Sequence, residues 1–268
     1  MRISNLFTKM ISCSIGMLLL FAPLTVLAQT KVVVIPLFGD DTKPLKNIIT
    51  VAKANGNFTD PVAAVNSISD ASAANPYLVV IGPGVYTITQ TLYMKQFVDI
   101  VGSGENVTKL TGAISTASKD ASSTVISGAN NSALSSLTVE NTGGNTNSIA
   151  MWNCNASPTV SYVTLTASGG GYNYGVYSVS YSSPTMSNVS ITASGGTDSC
   201  GVYNWNHSYP AIRRSTIEGG YYSLSSALSA PSLSQSTLIG PVSGGSDNKC
   251  VACDNGSGTA LNEHCLAP

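Results

Sequence analysis

Acidic side chains are the first candidates for chemistry, and the middle of this chain has very few. Between Asp120 and Arg213 the only charged residues are Glu140 and Asp198. Hydrolysis of a glycosidic bond uses two carboxyl groups about 5–9.5 Å apart, and a lyase needs a base, usually with a Ca²⁺ ion held by several oxygen ligands. Isolated acids provide neither arrangement. The sequence therefore predicts no catalytic residue, no metal ligand and no cofactor.

Aromatic side chains, by contrast, are concentrated in this part of the chain. Exposed aromatic faces would form a platform for the apolar faces of sugar rings, and nearby amides would meet the sugar hydroxyls. The alternative is that the rings fill the core or form ladders within the fold. The group comprises Trp152, Tyr172, Tyr174, Tyr177, Tyr181, Tyr203, Trp205, Tyr209, Tyr221 and Tyr222. The residues predicted to bind polysaccharide are Tyr177, Tyr203, Trp205, Asn204 and Asn206.

These residues lie in a repeat that runs from residue 132 to residue 240. Its five units begin at Ser132, Pro158, Pro184, Pro210 and Pro231, at offsets of 26, 26, 26 and 21 residues. A Gly-Val-Tyr triplet precedes two of the prolines by nine residues, at 175–177 and 201–203. A fixed period of this length predicts a solenoid, a propeller or another array.

The interior of each unit favours one of these architectures. Val163, Leu165 and Ala167 alternate with threonines, which indicates a strand, and a glycine run then ends the pattern. A unit has no room for an additional helix and is shorter than a propeller blade of about 40 residues. It therefore predicts one coil of a parallel β-helix, with coils about 4.8 Å apart. An antiparallel β-sandwich is the alternative.

The β-helix makes two geometric predictions. One is a single inward stack of apolar residues, formed by Leu134, Val160, Met186, Ile212 and Leu233. The other is an outward column that holds Glu140 and Glu218 three coils apart, a separation of about 14 Å. That distance is too long for a glycosidase acid pair. Tyr177 and Tyr203 share a phase, so we expect their rings to stack.

The first 28 residues have the features of an export signal. Arg2 and Lys9 precede an apolar run from 11 to 27, and Val26-Leu27-Ala28 matches a cleavage site. We expect a secreted, periplasmic or cell-surface protein without a membrane span after cleavage; an uncleaved anchor is the alternative. The net charge of −1 becomes −3 after cleavage, with 13 acidic against 10 basic residues. Such a chain does not attract nucleic acid.

Export places the cysteines in an oxidising compartment. Five of the six follow the leader, so at least one is unpaired. Cys154 and Cys200 differ by almost two coils, which exceeds the Cα–Cα distance of about 4.4–6.8 Å that a disulfide allows. The other three cluster near the C-terminus. We expect Cys250 to pair with Cys265 and Cys253 to remain free.

Residues 29–76 precede the coils and contain two short predicted strands, at 31–36 and 48–52, followed by the one convincing helix. Asp60 is a favourable N-cap, and Pro61 suits the first helical position. The predicted helix, residues 60–69, has an apolar face made of Val62, Ala63, Val65 and Ile68. The coils then occupy residues 77–240, and residues 241–268 form a C-terminal cap with the clustered cysteines.

Three stretches between residues 51 and 112 carry a family resemblance. They read Val51-Ala-Lys-Ala-Asn-Gly-Asn-Phe-Thr59, Leu78-Val-Val-Ile-Gly-Pro-Gly-Val-Tyr86 and Asp99-Ile-Val-Gly-Ser-Gly-Glu-Asn-Val-Thr-Lys-Leu-Thr-Gly112. With the helix between the first two, residues 50–112 resemble the opening of pectin methylesterase-like chains of the pectin lyase superfamily. The resemblance implies a right-handed parallel β-helix with a helical cap at its N-terminal end. The catalytic motifs of those esterases are not matched, so no catalytic residue is carried over.

The sequence thus predicts an all-β, right-handed parallel β-helix with an N-terminal helical cap. The predicted function is that of an exported, non-catalytic envelope or surface protein that binds polysaccharide or a cell-surface glycan, or serves in adhesion. The alternative is a divergent carbohydrate-active enzyme, an esterase or a lyase acting on a pectin-like polymer. Acid pairs within one or two coils of each other would favour the enzyme, because the fold alone does not decide function.

Overall fold

The computed structural model describes residues 47–244 and 247–267. The export signal predicted at 1–28 and the strand predicted at 31–36 lie outside these residues. The described part is all-β, with 22 strands, one six-residue α-helix and one three-residue 3₁₀ helix. Neither of these helices has the length and apolar character that crossing a membrane requires.

The larger sheet has two rows of parallel strands that run along the solenoid axis. The first row consists of β1 (Asn47–Val51), β2 (Tyr77–Ile81), β5 (Val98–Val101), β9 (Ala133–Asn141), β11 (Thr159–Ala167), β13 (Thr185–Ser187), β16 (Ala211–Arg213), β19 (Ser232–Ser234) and β22 (Lys249–Val251). The second row adds β3 (Gly84–Thr87), β6 (Thr108–Gly112), β14 (Ser190–Ala193), β17 (Thr216–Gly219) and β20 (Thr237–Ile239). Strands β9 and β11, of nine residues each, belong to both rows.

The second sheet is a ladder of seven parallel strands. These are β4 (Leu92–Tyr93), β8 (Thr124–Ser127), β10 (Asn147–Cys154), β12 (Tyr172–Val179), β15 (Asp198–Trp205), β18 (Tyr222–Ala227) and β21 (Val242–Ser243). A short strand, β7 (Ser115–Thr116), pairs antiparallel with β10. Each complete coil of the repeat crosses this sheet and then both rows of the larger one, which makes the fold a parallel β-solenoid.

The strand register confirms the predicted repeat. The expected inward stack is present, and each of its members is at most 1% exposed: Leu134, Val160, Met186, Ile212 and Leu233. Ile100 precedes this stack in register and Cys250 follows it. Because equivalent residues of successive units pair in parallel, the antiparallel sandwich is excluded.

A residue with positive φ turns each coil of the repeat between the two rows. Ser136, Tyr162, Asn188, Arg214 and Gln235 occupy the same phase, with φ between 46° and 56°. This left-handed bend interrupts the strict alternation of a strand. Residues on both sides of it, such as Leu134 and Leu137, can therefore both face the core.

The Gly-Val-Tyr triplets belong to the second sheet, where space inside the solenoid is limited. A Cβ atom on Gly201 would lie 2.7 Å from Cγ2 of Ile217, and one on Gly175 would overlap Ile191 in the same way. The valines that follow, Val176 and Val202, are fully buried in the main core. Each triplet thus places a glycine where the interior is crowded, then an inward valine, then an outward tyrosine.

Helix α1 spans Pro61–Asn66, which is shorter than predicted. Its N-cap is Asp60, whose carboxylate accepts a hydrogen bond of 2.9 Å from the Val62 amide. The buried face includes Ala64 rather than the predicted Ala63, which is exposed. The reason is the helical period: Ala64 lies three residues after buried Pro61 and so shares its face, whereas Ala63 points away from that face.

The C-terminal segment is tied back to the last strands. Cys250, on β22, forms a disulfide with Cys265, with the sulfurs 2.01 Å apart. Cys253 is a free, buried thiol beside it in the core, and Cys154 and Cys200 are also free. The disulfide therefore holds the segment after β22 against the end of the core.

Candidate functional site

Three aromatic residues form a stack on the outward face of the second sheet. Trp152, Tyr177 and Tyr203 are successive register partners on β10, β12 and β15. The ring centroids of Trp152 and Tyr177 are 4.9 Å apart at 31°, and those of Tyr177 and Tyr203 are 4.7 Å apart at 29°. The predicted stacking of Tyr177 on Tyr203 is confirmed. We call these three residues the aromatic stack.

The aromatic stack is largely closed to solvent. Trp152 is 8% exposed and Tyr177 only 7%, whereas Tyr203 is half-buried. The prediction that Tyr177 belongs to an exposed platform is therefore wrong. Tyr177 has a ring on each face and the edge of Tyr174 at 4.9 Å, whereas Tyr203 has a stacked ring on one face only. The ladder interpretation describes Tyr177, and Tyr203 remains accessible at the end of the stack.

Asn204 is also buried, which contradicts its predicted place on the surface. It is 0% exposed and shares a column with Asn153, Ser178 and Ser226. Its Nδ2 atom lies 3.5 Å from the Ser226 hydroxyl, to which it donates. Side chains alternate along a strand, so Asn204 faces inward, whereas Tyr203 before it and the residue after it face outward. That neighbour, Trp205, is 46% exposed.

Exposed side chains form a ridge at the turns that follow the second sheet. Tyr181, His207 and Leu228 each precede a repeat proline by three residues and have φ of 64°, 60° and 53°. Bulky residues rarely adopt this conformation. Tyr181 stacks on His207 with centroids 5.2 Å apart, and His207 Nδ1 lies 3.2 Å from the Tyr209 hydroxyl. The predicted Asn206, half-buried with φ of 55°, adjoins this ridge.

The repeat pattern of the sequence does not reveal this ridge. Its members share neither residue type nor hydrophobicity, so a search for similar side chains at one phase does not select them. The constant spacing to the proline was nevertheless visible in the sequence and would have placed them at one position of successive turns.

A strap made of residues 113–123 crosses the same face next to the stack. Within it β7 pairs with the start of β10, and Ala121 packs against the aromatic cluster. The ammonium of Lys119 lies 4.7 Å from the ring centroid of Tyr172 and 5.3 Å from that of Tyr174. The strap therefore helps to bury rings that point away from the solenoid core.

One buried side chain anchors this strap. The Asn141 amide donates to the carbonyl oxygens of Ile114 at 2.7 Å, Ser123 at 3.0 Å and Ile149 at 2.8 Å. Its Oδ1 accepts from the backbone amides of Ile114 and Gly143, both at 3.1 Å. A single side chain thus joins the strap, the second row and strand β10.

The tyrosine phenols and the cysteine thiol in and around the stack are held neutral. Burial is the main cause that raises the pKa of Tyr174 and of Tyr177, and it likewise raises the pKa of the Cys200 thiol, which is 1% exposed. The nearby negative charge of Asp198 adds to the raised pKa of Tyr174 and Cys200. None of these phenols or this thiol is suited to act as a base or nucleophile near neutral pH.

Asp198 is the only charged residue on strands β10, β12, β15 and β18. It is half-buried and stands in register with Tyr172, the residue beneath Lys119. Its Oδ1 atom is buried and finds no hydrogen-bond partner among the described residues. The face thus carries one carboxylate, without a second acid on the same four strands.

The glutamates of the repeat lie on the larger sheet. Glu140 is 2.8 Å from Lys109 Nζ and accepts a 2.9 Å hydrogen bond from Thr111. Burial raises the pKa of Glu140, but the hydrogen bonds and the positive charge of Lys109 outweigh it and leave the pKa lowered. Glu218 stands three coils further along the same column, as predicted. The described residues contain no group of three His, Cys, Asp or Glu side chains placed to hold a metal ion.

Comparison with solved structures places this geometry in a known fold. Pectin methylesterase from carrot is similar with a TM-score of 0.55 at 12% identity, covering 84% of this chain and 89% of that enzyme. The chain has a pectin lyase-like β-helix fold. Pectin methylesterase from Yersinia enterocolitica gives 0.52 at 14% identity over 78% and 93% of the two chains. ORF18 of Geobacillus virus E2 gives 0.53 at 14%, over 76% and 48%.

No protein-family model and no curated protein sequence matches the chain. At these identities the likeness concerns the fold alone, and a pectin lyase-like β-helix can host different functions. The function therefore has to be argued from the side chains that this β-helix presents.

Proposed function

We propose that this chain is an exported, non-catalytic protein that binds polysaccharide with the outward face of its second sheet. The observation that carries the proposal is the half-open aromatic surface at the end of the stack. Tyr203 is half-buried there, and Trp205 beside it is 46% exposed. Such rings offer flat apolar faces together with polar atoms at their edges, and this combination suits the faces and hydroxyls of sugars.

The polarity of the face also favours binding over catalysis. Acyl or glycosyl transfer at neutral pH needs an activated nucleophile or an acid–base pair. The second sheet presents hydroxyls, amides and aromatic rings around one carboxylate, Asp198. Sugar recognition requires no more than these groups supply.

The export of the chain and the roles of its terminal segments belong to the same proposal. Residues 1–28 would be a cleaved leader, leading to a secreted, periplasmic or cell-surface location. We further propose that the solenoid is right-handed and that residues 29–76 cap its N-terminal end. In support of this cap, helix α1 buries Val62 and Val65 in the main core, and Ile68 just after the helix lies there too. Residues 241–268, with their disulfide, would close the other end of the coils at 77–240.

A divergent carbohydrate-active enzyme is the second candidate. The observation that favours it is Asp198, a carboxylate with an unpartnered buried oxygen at the edge of an aromatic face. If this candidate is right, Asp198 has to work with a group supplied by the substrate or by water.

Binding and turnover can be tested in parallel on a glycan array and in esterase and lyase assays. We expect the purified protein to bind at least one polysaccharide and to show no hydrolysis or β-elimination of pectin. Trp205→Ala should weaken binding by about 1–3 kcal/mol, taking the range known for a nucleobase stacked on one aromatic side chain. Tyr162→Ala is the matched control, since Tyr162 is 52% exposed on a bend of the larger sheet. Turnover that survives repurification and is abolished by Asp198→Asn would establish the enzyme instead.

A further inference from the structure

The aromatic stack ends at Tyr203, and the residues that follow it in register are small. Tyr203 pairs with Ser225 on β18, and Ser225 pairs with Ser243 on β21. Tyr177 covers one face of the Tyr203 ring. On the other side of the ring, strand register places the two serines in a space that spans two strand spacings, or about 10 Å. We call this space the Ser225 notch.

Aromatic and small side chains border the notch. Tyr222, half-buried, precedes Ser225 on β18, and exposed Ala227 follows it. Ala227 is the register partner of Trp205, so its short side chain leaves that ring open as well. The notch therefore has a flat floor in Tyr203, two serines behind it and aromatic rings on two sides.

The size and polarity of the notch fit one sugar ring. A ring stacked on Tyr203 needs a centroid separation of about 4.5–7 Å, and the two serine positions provide that height. Its edge would then meet the hydroxyls of Ser225 and Ser243. A pyranose has C–H groups on its face and hydroxyls at its edge, so it matches both surfaces. A purely aromatic ligand matches the floor alone.

The charges around the notch discriminate between sugar classes. Asp198 is the only charged residue on the five strands that carry the stack and the notch. Burial is the main cause that raises the pKa of Tyr203, and the negative charge of Asp198 adds to it. The cation on this face, Lys119, lies over Tyr172 and Tyr174 on the preceding strand β12. A uronic acid in the notch would thus meet a carboxylate and no paired cation on these strands. An uncharged sugar avoids this repulsion.

We infer that the Ser225 notch is a subsite for one uncharged pyranose stacked on Tyr203, and that the protein takes neutral polysaccharides rather than polyuronates. This inference rests on the proposed polysaccharide binding, to which it adds the position of one sugar and the class of polymer. It places the site at the end of the stack and not at its buried middle ring.

Filling the notch provides the test. Ser225→Tyr adds a ring in register with Tyr203, so it should extend the stack, keep or raise the unfolding temperature and block the sugar. Binding is measured by titration calorimetry with the full protein, using cellohexaose, galactohexaose and xylohexaose as neutral probes and hexagalacturonate as the anionic one. We expect Ser225→Tyr to lower the affinity for the best neutral ligand by about 5- to 150-fold, which corresponds to the loss of one stacking contact. Ser225→Ala, the matched control, leaves the floor open and should change affinity less than about 3-fold.

A second variant covers the case in which Ser225→Tyr does not fold. Tyr203→Leu keeps apolar bulk against Tyr177 but removes the flat face, and it should cause a similar loss of affinity. If either folded variant binds the neutral ligand as tightly as the wild type, the notch is not the subsite, although polysaccharide binding stands. Tighter binding of hexagalacturonate than of every neutral probe would overturn the neutral class. Failure of the wild type to bind any probe, or any glycan on the array, would remove the proposed function itself.

Discussion

Replacing Tyr177 by alanine would measure what the aromatic stack contributes to stability. The ring is 7% exposed and contacts Trp152, Tyr203 and Tyr174 with centroids 4.7–4.9 Å away. Truncation of a buried aromatic residue costs about 3–5 kcal/mol, and each aromatic pair contributes about 0.5–1.5 kcal/mol of such a loss. Because the ring lies on the outward face, its neighbours can partly close the gap. We therefore expect the free energy of unfolding to fall by about 3 kcal/mol, the low end of that range.

Urea denaturation followed by far-UV circular dichroism would measure the change. Tyr177→Phe keeps the three ring contacts and should lose less than about 1 kcal/mol. Tyr181→Ala removes an exposed ring and should change stability by no more than about 0.5 kcal/mol. A loss below about 1 kcal/mol for Tyr177→Ala would refute the reasoning. An equal loss for the phenylalanine variant would assign the effect to the hydroxyl and not to stacking.

Three further predictions concern the strap, alkaline pH and the C-terminal segment. Asn141→Ala should lower stability by about 3–5 kcal/mol in thermal unfolding, because it leaves several buried carbonyls and amides unsatisfied; an unchanged midpoint would contradict this. The raised pKa values of Tyr174 and Tyr177 leave stability intact below about pH 10 and reduce it above, since only the unfolded chain then releases those protons. Phenolate absorbance that rises in a single early step, without an unfolding-linked phase, would argue against this. Cys250→Ser should cost about 3 kcal/mol by opening a 15-residue loop, and non-reducing peptide mapping that joins Cys250 to Cys154 or Cys200 would disprove the pairing.

The solenoid was predictable because its signal is local and repeated. Each coil repeats an inward aliphatic residue at the same phase, so the stack from Leu134 to Leu233 could be aligned without coordinates. The same alignment placed Tyr177 over Tyr203 and kept Glu140 apart from Glu218. Parallel pairing in register turns a sequence offset into a position in space.

The burial of the site was not predictable from the same signal. Tyr177 points outward by strand alternation, and an outward residue is expected to be exposed. Besides the rings around it, its burial depends on the strap that packs over its neighbours, and the strap is held by Asn141, which lies 36 residues before Tyr177. Neither contact leaves a periodic trace in the sequence. The prediction that Asn204 lies on the surface was wrong for a simpler reason: the alternation of side chains along the strand already assigned Asn204 to the inside.

The notch also depends on a departure from the repeat. Ala193 and Cys200 are seven residues apart in the sequence. Their register partners on the next coil, Gly219 and Tyr222, are only three residues apart. The 21-residue unit is thus shortened chiefly in the turn before the second sheet, while its strands keep their register.

The turns here border a shallow open cavity of about 230 Å³, lined by Gly195, Gly196, Thr197, Ser199, Gly220 and Tyr221. In this same unit the outward aromatic of the stack position is replaced by Ser225. The 26-residue units bury Trp152 and Tyr177 in the stack, whereas Tyr203, whose next register partner is Ser225, is only half-buried. The irregular coil is therefore the place where the aromatic ladder ends, and it is there that we propose the sugar binds.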